Sequence, residues 1–211
     1  GIMALDAVEA TSSPFQSLSN FSQARHFYVA VDRFTFKMET LVDLLGVAGR
    51  RAWLPMVVCC SSRDELDAVC ASVSNISFIS MACLHSDLSE PKRIQTFDKF
   101  RQATWEWNQK AMEDPQDRSL ASEEKSHMIV ATDACLPLPA LGEPPLSARI
   151  LINYELPTKK ETYTRRITTC LASDGIVINM VVGGEVGTLK CIEEGCGLLI
   201  DEMPINISEI L

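Results

Sequence analysis

Apolar residues recur along this chain in two alternating patterns, short continuous runs and stripes with a helical period. The continuous runs are of strand length and rich in β-branched residues, which is typical of strands buried on both faces of a parallel sheet. They occupy residues 26–31, 54–60, 76–84, 127–133, 150–152, 176–182 and 198–204.

Helical patterns fill the intervals between these runs. Ser62 with Glu65, and Thr158 with Glu161, have the spacing of a capping box, in which a side-chain oxygen satisfies the free amides of a helix start. The helices predicted are Lys37–Ala48, Arg63–Val73, a long helix opening at Ser89 and Pro91, one from Thr158, and one from Gly183-Gly184 to about Cys196.

Strand and helix therefore alternate about six times, which predicts an α/β fold with a doubly wound, mostly parallel sheet and helices on both faces. Residues 1–24 are small and polar and are expected to form a flexible tail or linker, ahead of a single domain over 25–211. Residues 102–126 break the rhythm as an insertion, although their first half could extend the preceding helix. The proline-rich segment 135–146 is not expected to form regular structure.

The segments INYELPTKKETYTRRI (152–167), LHSDLSEPKRIQTFDKFR (84–101), IVATD (129–133) and IDEMPINISEIL (200–211) follow one another in an order that resembles a known family. They resemble the second, C-terminal RecA-like lobe of DEAD-box RNA helicases, most closely the translation initiation factor 4A type. The resemblance covers about residues 26–211 and implies a RecA-like helicase C-terminal domain.

The chain departs from that family where the family performs its chemistry. The family has a His-Arg-Ile-Gly-Arg-x-Gly-Arg run whose later arginines reach the ATP γ-phosphate; here Thr169 occupies one of those positions, and the other falls in a shortened turn. The Ala-Arg-Gly-x-Asp turn of the family is replaced by residues 136–140, which include two prolines. No phosphate-binding G-x-x-x-x-G-K-[ST] loop occurs in these residues. The sequence therefore predicts that the chain is not an enzyme and binds no cofactor.

Composition narrows the choice of partners. The 211 residues carry a net charge of −9, which disfavours broad, non-specific nucleic-acid binding but leaves room for a local basic patch. The eight cysteines are interpreted as free, buried thiols of a cytoplasmic or nuclear protein, without metal-ligand spacing. No apolar run is long enough to span a membrane.

Two groups of residues are candidates for binding. Thr132, Asp133, Lys159, Lys160 and Arg166 form a possible residual RNA-binding set, because the resembling family grips the RNA backbone with this lobe; a solvated helix face is the alternative.

Trp105 and Trp107 lie in the insertion and are two residues apart on a helix, so they point to different faces. An exposed tryptophan is a candidate anchor for a protein partner, whereas packing of both on the domain's own surface is the alternative.

The sequence thus favours a catalytically inactive helicase-like lobe that serves as a protein-interaction module in translation, mRNA turnover or RNA silencing. The resemblance implies a helical-repeat scaffold or a short linear peptide as the partner. Two alternatives stay open: a weak single-stranded RNA-binding module, and one lobe of a helicase whose first lobe lies outside this chain.

Overall fold

Seven parallel strands form one sheet in a computed structural model that describes residues 23–112 and 124–211. The strand order is β3-β4-β2-β5-β6-β1-β7. The strands are β1 (Arg25–Val31), β2 (Pro55–Cys60), β3 (Ile79–Leu84), β4 (Ser126–Thr132), β5 (Ala148–Asn153), β6 (Leu171–Val182) and β7 (Ile200–Glu202). Every strand pairing is parallel, which confirms the predicted α/β class.

Within residues 23–112 and 124–211, five α-helices cover both faces of this sheet. They are α1 (Lys37–Ala48), α2 (Arg63–Val73), α3 (Glu90–Ala111), α4 (Lys160–Cys170) and α5 (Val186–Cys196). The helices α1 and α2 pack on one face through Leu41, Leu45, Leu66 and Val69. The helices α3, α4 and α5 pack on the other through Phe97, Phe100, Tyr163, Ile167, Leu189 and Ile192. The central strands between these two layers, such as β2 and β5, are buried on both sides, so the sheet is doubly wound as expected.

Several boundaries follow the sequence closely. The helices α1 and α2 begin and end where they were predicted, and the Ser62 hydroxyl accepts a hydrogen bond from the Glu65 amide at 3.3 Å, which confirms the first capping box. The second capping box is wrong. Lys159, not Thr158, precedes α4, and its side chain makes no capping bond, because the chain stays extended through residue 159.

Two other predictions need correction. The strand expected from residue 76 begins only at Ile79, after a turn closed by the Ile79 amide on the Ile76 carbonyl. Cys70 on α2 and Cys83 on β3 form a disulfide bond, so the interpretation of all eight cysteines as free thiols is wrong for this pair. The two residues are 13 positions apart and are brought together only by the crossing of α2 over the sheet edge.

The unusual segments of the sequence are partly described. The helix α3 continues to Ala111, so the first half of the insertion does extend the preceding helix; residues 113–123 lie outside the described part of the chain, as does most of the predicted tail, residues 1–22. Among the described helices, none combines the length and apolar character needed to cross a bilayer.

The proline-rich segment is packed against the domain. Leu136 and Leu146 are fully buried, and one short 3-10 turn, Pro139–Leu141, interrupts the irregular backbone between them. The Arg93 guanidinium from α3 forms a two-bond ion pair with Glu143 at 2.7 and 2.8 Å, and it also donates to the Leu136 carbonyl at 3.0 Å. One arginine therefore fixes the loop that follows β4.

Candidate functional site

The carboxyl ends of β2, β4 and β5 meet at one edge of the sheet, and this is the edge where open α/β sheets bind ligands. The connection after β2 passes through α2 to β3 on one side, whereas the connection after β5 passes through α4 to β6 on the other. The two following helices also lie on opposite faces. The neighbouring strands β2 and β5 therefore flank the topological switch point of the fold.

Arg166 lies at this switch point and is completely buried, with 0% of its surface exposed. The guanidinium binds both carboxylate oxygens of Asp133, through Nε at 2.7 Å and Nη2 at 2.8 Å. It also donates to the Asn153 side-chain oxygen at 3.0 Å, the Glu155 carbonyl at 2.8 Å and the Ser61 hydroxyl at 3.1 Å. These five bonds use all five N–H donors of an arginine.

Electrostatics accounts for a buried charge at this position. Burial disfavours the charged guanidinium, but hydrogen bonds to Asp133 and the negative charge of that carboxylate outweigh it, so that the pKa of Arg166 is raised. Asp133 follows β4, Ser61 follows β2, and Asn153 and Glu155 come from the end of β5. One side chain of α4 thus ties three strand ends together.

A hydrogen-bonded chain continues from this arginine across the sheet. The Asn153 amide donates to the Asn179 oxygen at 2.8 Å, and the Asn179 amide donates to the Tyr163 hydroxyl at 3.0 Å. The Tyr163 hydroxyl lies 2.8 Å from Nδ1 of His26. This buried network joins β5, β6, α4 and β1. Satisfied buried polar groups of this kind fix a unique arrangement of elements.

The carboxylate of Glu155 occupies the amino end of α2. One of its oxygens accepts bonds from the amides of Ser61 at 2.9 Å and Ser62 at 3.1 Å, and from the Ser62 hydroxyl at 3.3 Å. Free amides at a helix start favour negative charge, which makes such a position an anion site. In this protein the Glu155 carboxylate occupies the place of a bound anion.

Other ionisable groups near the edge are also enclosed. Burial lowers the pKa of Lys37, against the opposing charges of Glu185 and Glu155, and its ammonium lies 4.5 Å from the centre of the Tyr154 ring. Burial raises the pKa of Tyr154 and that of Cys60 to about 12. The Cys60 thiol is therefore protonated at neutral pH and is no nucleophile.

The structure separates the residues proposed for RNA binding. The buried Arg166 and the partly exposed Asp133 form the ion pair described above, and the half-buried Thr132 precedes Asp133 in the sequence. Lys159 and Lys160 are exposed at the start of α4, where both face solvent. Arg166 lies on the same helix but points to the interior, so it has no donor left for a phosphate.

The two tryptophans lie on different faces of α3, as their spacing predicted. Trp105 is 54% exposed, whereas Trp107 is partly buried and packs against the hydrophobic cluster on the sheet face that α1 and α2 cover. Only Trp105 is therefore accessible as an anchor.

Several residues of the network were not identified from the sequence. Asn153 and Asn179 each end an apolar triplet, ILI and IVI, and both are completely buried. A polar residue inside a strand buried on both faces signals a hydrogen-bonding role. Glu155 and Ser61 carry no such signal, because their pairing depends on the strand order.

The described residues contain no group of three or more histidine, cysteine, aspartate or glutamate side chains arranged for a metal ion. The Thr169 hydroxyl, at a position where the resembling family has an arginine, donates within α4 to the Arg165 carbonyl at 2.6 Å.

The chain is similar in sequence to ATP-dependent RNA helicases. The chain is 26% identical over 189 residues to the ATP-dependent RNA helicase eIF4A of Mycosarcoma maydis, which covers 89% of this chain and 39% of that protein. The chain spans about 40% of the length of the curated relatives it matches. No protein-family profile matches it.

Solved structures show the same fold. Saccharomyces cerevisiae Dbp5 bound to RNA and ADP BeF3 superimposes with a TM-score of 0.66 at 15% identity, over 90% of this chain and 44% of that chain. A variant C-terminal domain of S. cerevisiae Dbp5, bound to Gle1 and IP6, superimposes with a TM-score of 0.61 at 17% identity, over 89% of this chain and 94% of that domain.

Replacing Arg166 with methionine tests the role of the network. The substitution leaves the Asp133 carboxylate and the Asn153 oxygen without their donor, and loss of one partner of a buried ion pair costs about 3–5 kcal/mol of unfolding free energy. Urea denaturation followed by circular dichroism measures this loss. The control is Arg165→Met, one residue away, half-exposed and expected to change stability by less than about 0.5 kcal/mol. Equal stability of the two variants would contradict the central role of Arg166.

Proposed function

Because this chain is a C-terminal RecA-like lobe of the DEAD-box helicase type, similar in sequence to eIF4A, we propose that it is a catalytically inactive module for protein interaction in RNA metabolism. The observation that carries the proposal is that all five N–H donors of Arg166 bind acceptors of the chain itself, so that none is left for a phosphate. Translation, mRNA turnover and RNA silencing, in the cytoplasm or the nucleus, are the settings that the sequence likeness favours.

Two further observations support loss of catalysis. The resemblance places a γ-phosphate-binding arginine at the position of Thr169, and the short threonine hydroxyl is committed to the Arg165 carbonyl. The loop after β4 contains Pro137 and Pro139, which have no N–H to offer a ligand, and the Arg93–Glu143 ion pair holds this loop against α3. An arginine that stabilises phosphoryl transfer contributes a factor of roughly 10³–10⁵ in rate.

Catalytic loss is tested with a chimaera that joins the first lobe of the M. maydis eIF4A to this chain. RNA-stimulated ATP turnover is expected to fall by roughly 10³-fold or more relative to the parent helicase, because the arginines are absent. A phosphate-release assay measures the rate, and the parent protein is the positive control. Turnover within about tenfold of the parent would support the alternative that this chain is one lobe of an active helicase.

Protein interaction is supported by the outer face of α3. Trp105 is 54% exposed and Met112 is 86% exposed, and the two residues lie seven positions apart, which places them on the same side of the helix. Tryptophan is enriched among the residues that dominate binding energy at interfaces. The Dbp5 C-terminal domain with the same fold is bound to Gle1 in its solved structure. A helical-repeat scaffold or a short linear peptide is the partner that we propose.

Replacing Trp105 with alanine is expected to remove the principal protein partner without unfolding the domain, because the side chain is mostly exposed. Affinity capture from cell extract with quantitative mass spectrometry compares the unmodified chain with Trp105→Ala. The control is Phe34→Ala, an aromatic residue of similar exposure, 58%, in the 3-10 turn that precedes α1. Partner recovery should fall by about tenfold for Trp105→Ala and stay unchanged for Phe34→Ala. Unchanged recovery for Trp105→Ala would exclude Trp105 as the anchor.

Weak binding of single-stranded RNA is the second candidate function. Lys159 and Lys160 lie side by side at the start of α4, both exposed, whereas the chain as a whole has a net charge of −9. The first free amides of a helix add positive potential at this point. Dbp5, with the same fold, is bound to RNA in a solved structure.

Charge reversal separates this candidate from a merely solvated helix end. If Lys159 and Lys160 hold phosphate, the double variant Lys159→Glu, Lys160→Glu should weaken binding of a labelled single-stranded RNA at low salt and flatten its salt dependence. Fluorescence anisotropy measures both quantities. The matched control is Lys92→Glu, Lys190→Glu, which reverses two exposed lysines on α3 and α5. Equal affinity of both double variants and the unmodified chain would contradict a role for the Lys159-Lys160 pair.

A further inference from the structure

A groove of about 380 Å³ lies beside the short edge strand β7, between β1, α1 and the segment after β7. The strand β7 is at one end of the sheet and β3 is at the other, and Arg166 does not line the groove. We propose that this groove binds an extended peptide in which a bulky apolar residue is adjacent to a lysine or arginine. This inference rests on the interaction function proposed above.

The floor of the groove is apolar. Leu44 and Ile207 are buried beneath it, and Val47 of α1 lies on its wall with 45% of its surface exposed. Ile205 lies on the opposite wall and is fully exposed, at 106%. Two large aliphatic side chains therefore face solvent on either side of an apolar floor. An apolar side chain bound between them would remove their surface from water, at about 25 cal/mol for each Å² buried.

The groove also contains an open strand edge. The strand β7 pairs with β1 only from His26 to Tyr28, and the Met203 amide makes the last bond, to the Tyr28 carbonyl at 3.0 Å. In a parallel ladder the N–H and C=O of one residue point to the same side, so those of Ala30 face the same way as those of Tyr28.

Ala30 is exposed and lies beyond the end of β7, where the chain turns away at Pro204. Within the described residues its amide and carbonyl have no backbone partner on that side. The main chain of an extended peptide can supply both partners, which is the bonding that adds a strand to a sheet edge.

Charge decides which peptide fits. The charged side chains that line the groove are Asp43 from α1 and Glu202 from β7, and both are exposed carboxylates. Among the residues that the structure describes, no lysine or arginine lines the groove. A peptide with a basic residue beside its apolar anchor would complement these carboxylates, whereas an acidic peptide would be repelled.

The test uses the full chain as bait for a phage-displayed library of random peptides of about 12 residues, long enough to cross the groove in extended form. Enriched peptides are synthesised with a fluorescent label and titrated by anisotropy. We expect them to combine a large aliphatic or aromatic residue with lysine or arginine. Val47→Asp and Ile205→Asp should each weaken binding by about tenfold or more.

Matched variants control this result. Val186→Asp changes a valine of similar exposure, 52%, on α5 and should leave affinity unchanged. Ala30→Pro removes the free amide at a position on the strand edge where proline is tolerated, and it should also weaken binding. Thermal unfolding shows that each variant is folded, and amide exchange at Ala30 should slow when the peptide is bound.

Other outcomes would overturn the proposal. Peptides that bind Val47→Asp and Ile205→Asp as tightly as the unmodified chain would place the peptide elsewhere, while leaving the wider interaction function intact. Enrichment of acidic peptides, or failure to enrich any peptide, would contradict peptide binding in the groove. The wider interaction function would still stand, because the capture experiment with Trp105→Ala tests it independently. If the chain associates with itself, and Val47→Asp and Ile205→Asp each abolish this association, the groove binds a second copy of the chain and not a peptide.

Discussion

One buried arginine determines how the carboxyl edge of this domain is built. Arg166 brings a charge from α4 into the interior, and the cost of removing that charge from water is met only because five acceptors surround it. Those acceptors come from the ends of three different strands, so the loops after β2, β4 and β5 cannot move independently. The asparagine and tyrosine network extends the same constraint to β1 and β6.

Several separate groups of side chains support the architecture around this edge of the sheet. The side chains that hold the strand ends together are distinct from the positions where the family's later arginines would lie. Thr169 is one turn further along α4 than Arg165, and its hydroxyl satisfies a carbonyl of the same helix. The Arg93–Glu143 pair gives the proline-rich loop its own support. The side chains that hold the strand ends are therefore separate from Thr169, the position where the resembling family has an arginine.

Much of the fold was predictable, because local signals and the global structure agree. The apolar runs and stripes identified the seven strands and five α-helices of the described residues, and the Ser62 cap fixed the start of α2. The failures concern contacts between distant residues. The Cys70–Cys83 bond needs the crossing of α2 and β3, and a capping pattern at Thr158 cannot act while the chain after Pro157 is still extended. Helical spacing predicts that Arg166 points inward, because it shares a face of α4 with Tyr163 and Cys170, which are both buried.

The position of Glu155 has a consequence for any phosphate ligand at the start of α2. Its carboxylate is a competitor tethered to the same molecule, and a tethered group acts at an effective concentration on the order of millimolar or higher. Dilution cannot remove such a competitor, because it belongs to the same chain. A nucleic-acid phosphate at this point must therefore displace a side chain that already holds two amides and a hydroxyl. Affinity here is governed by how easily the loop after β5 releases its own glutamate.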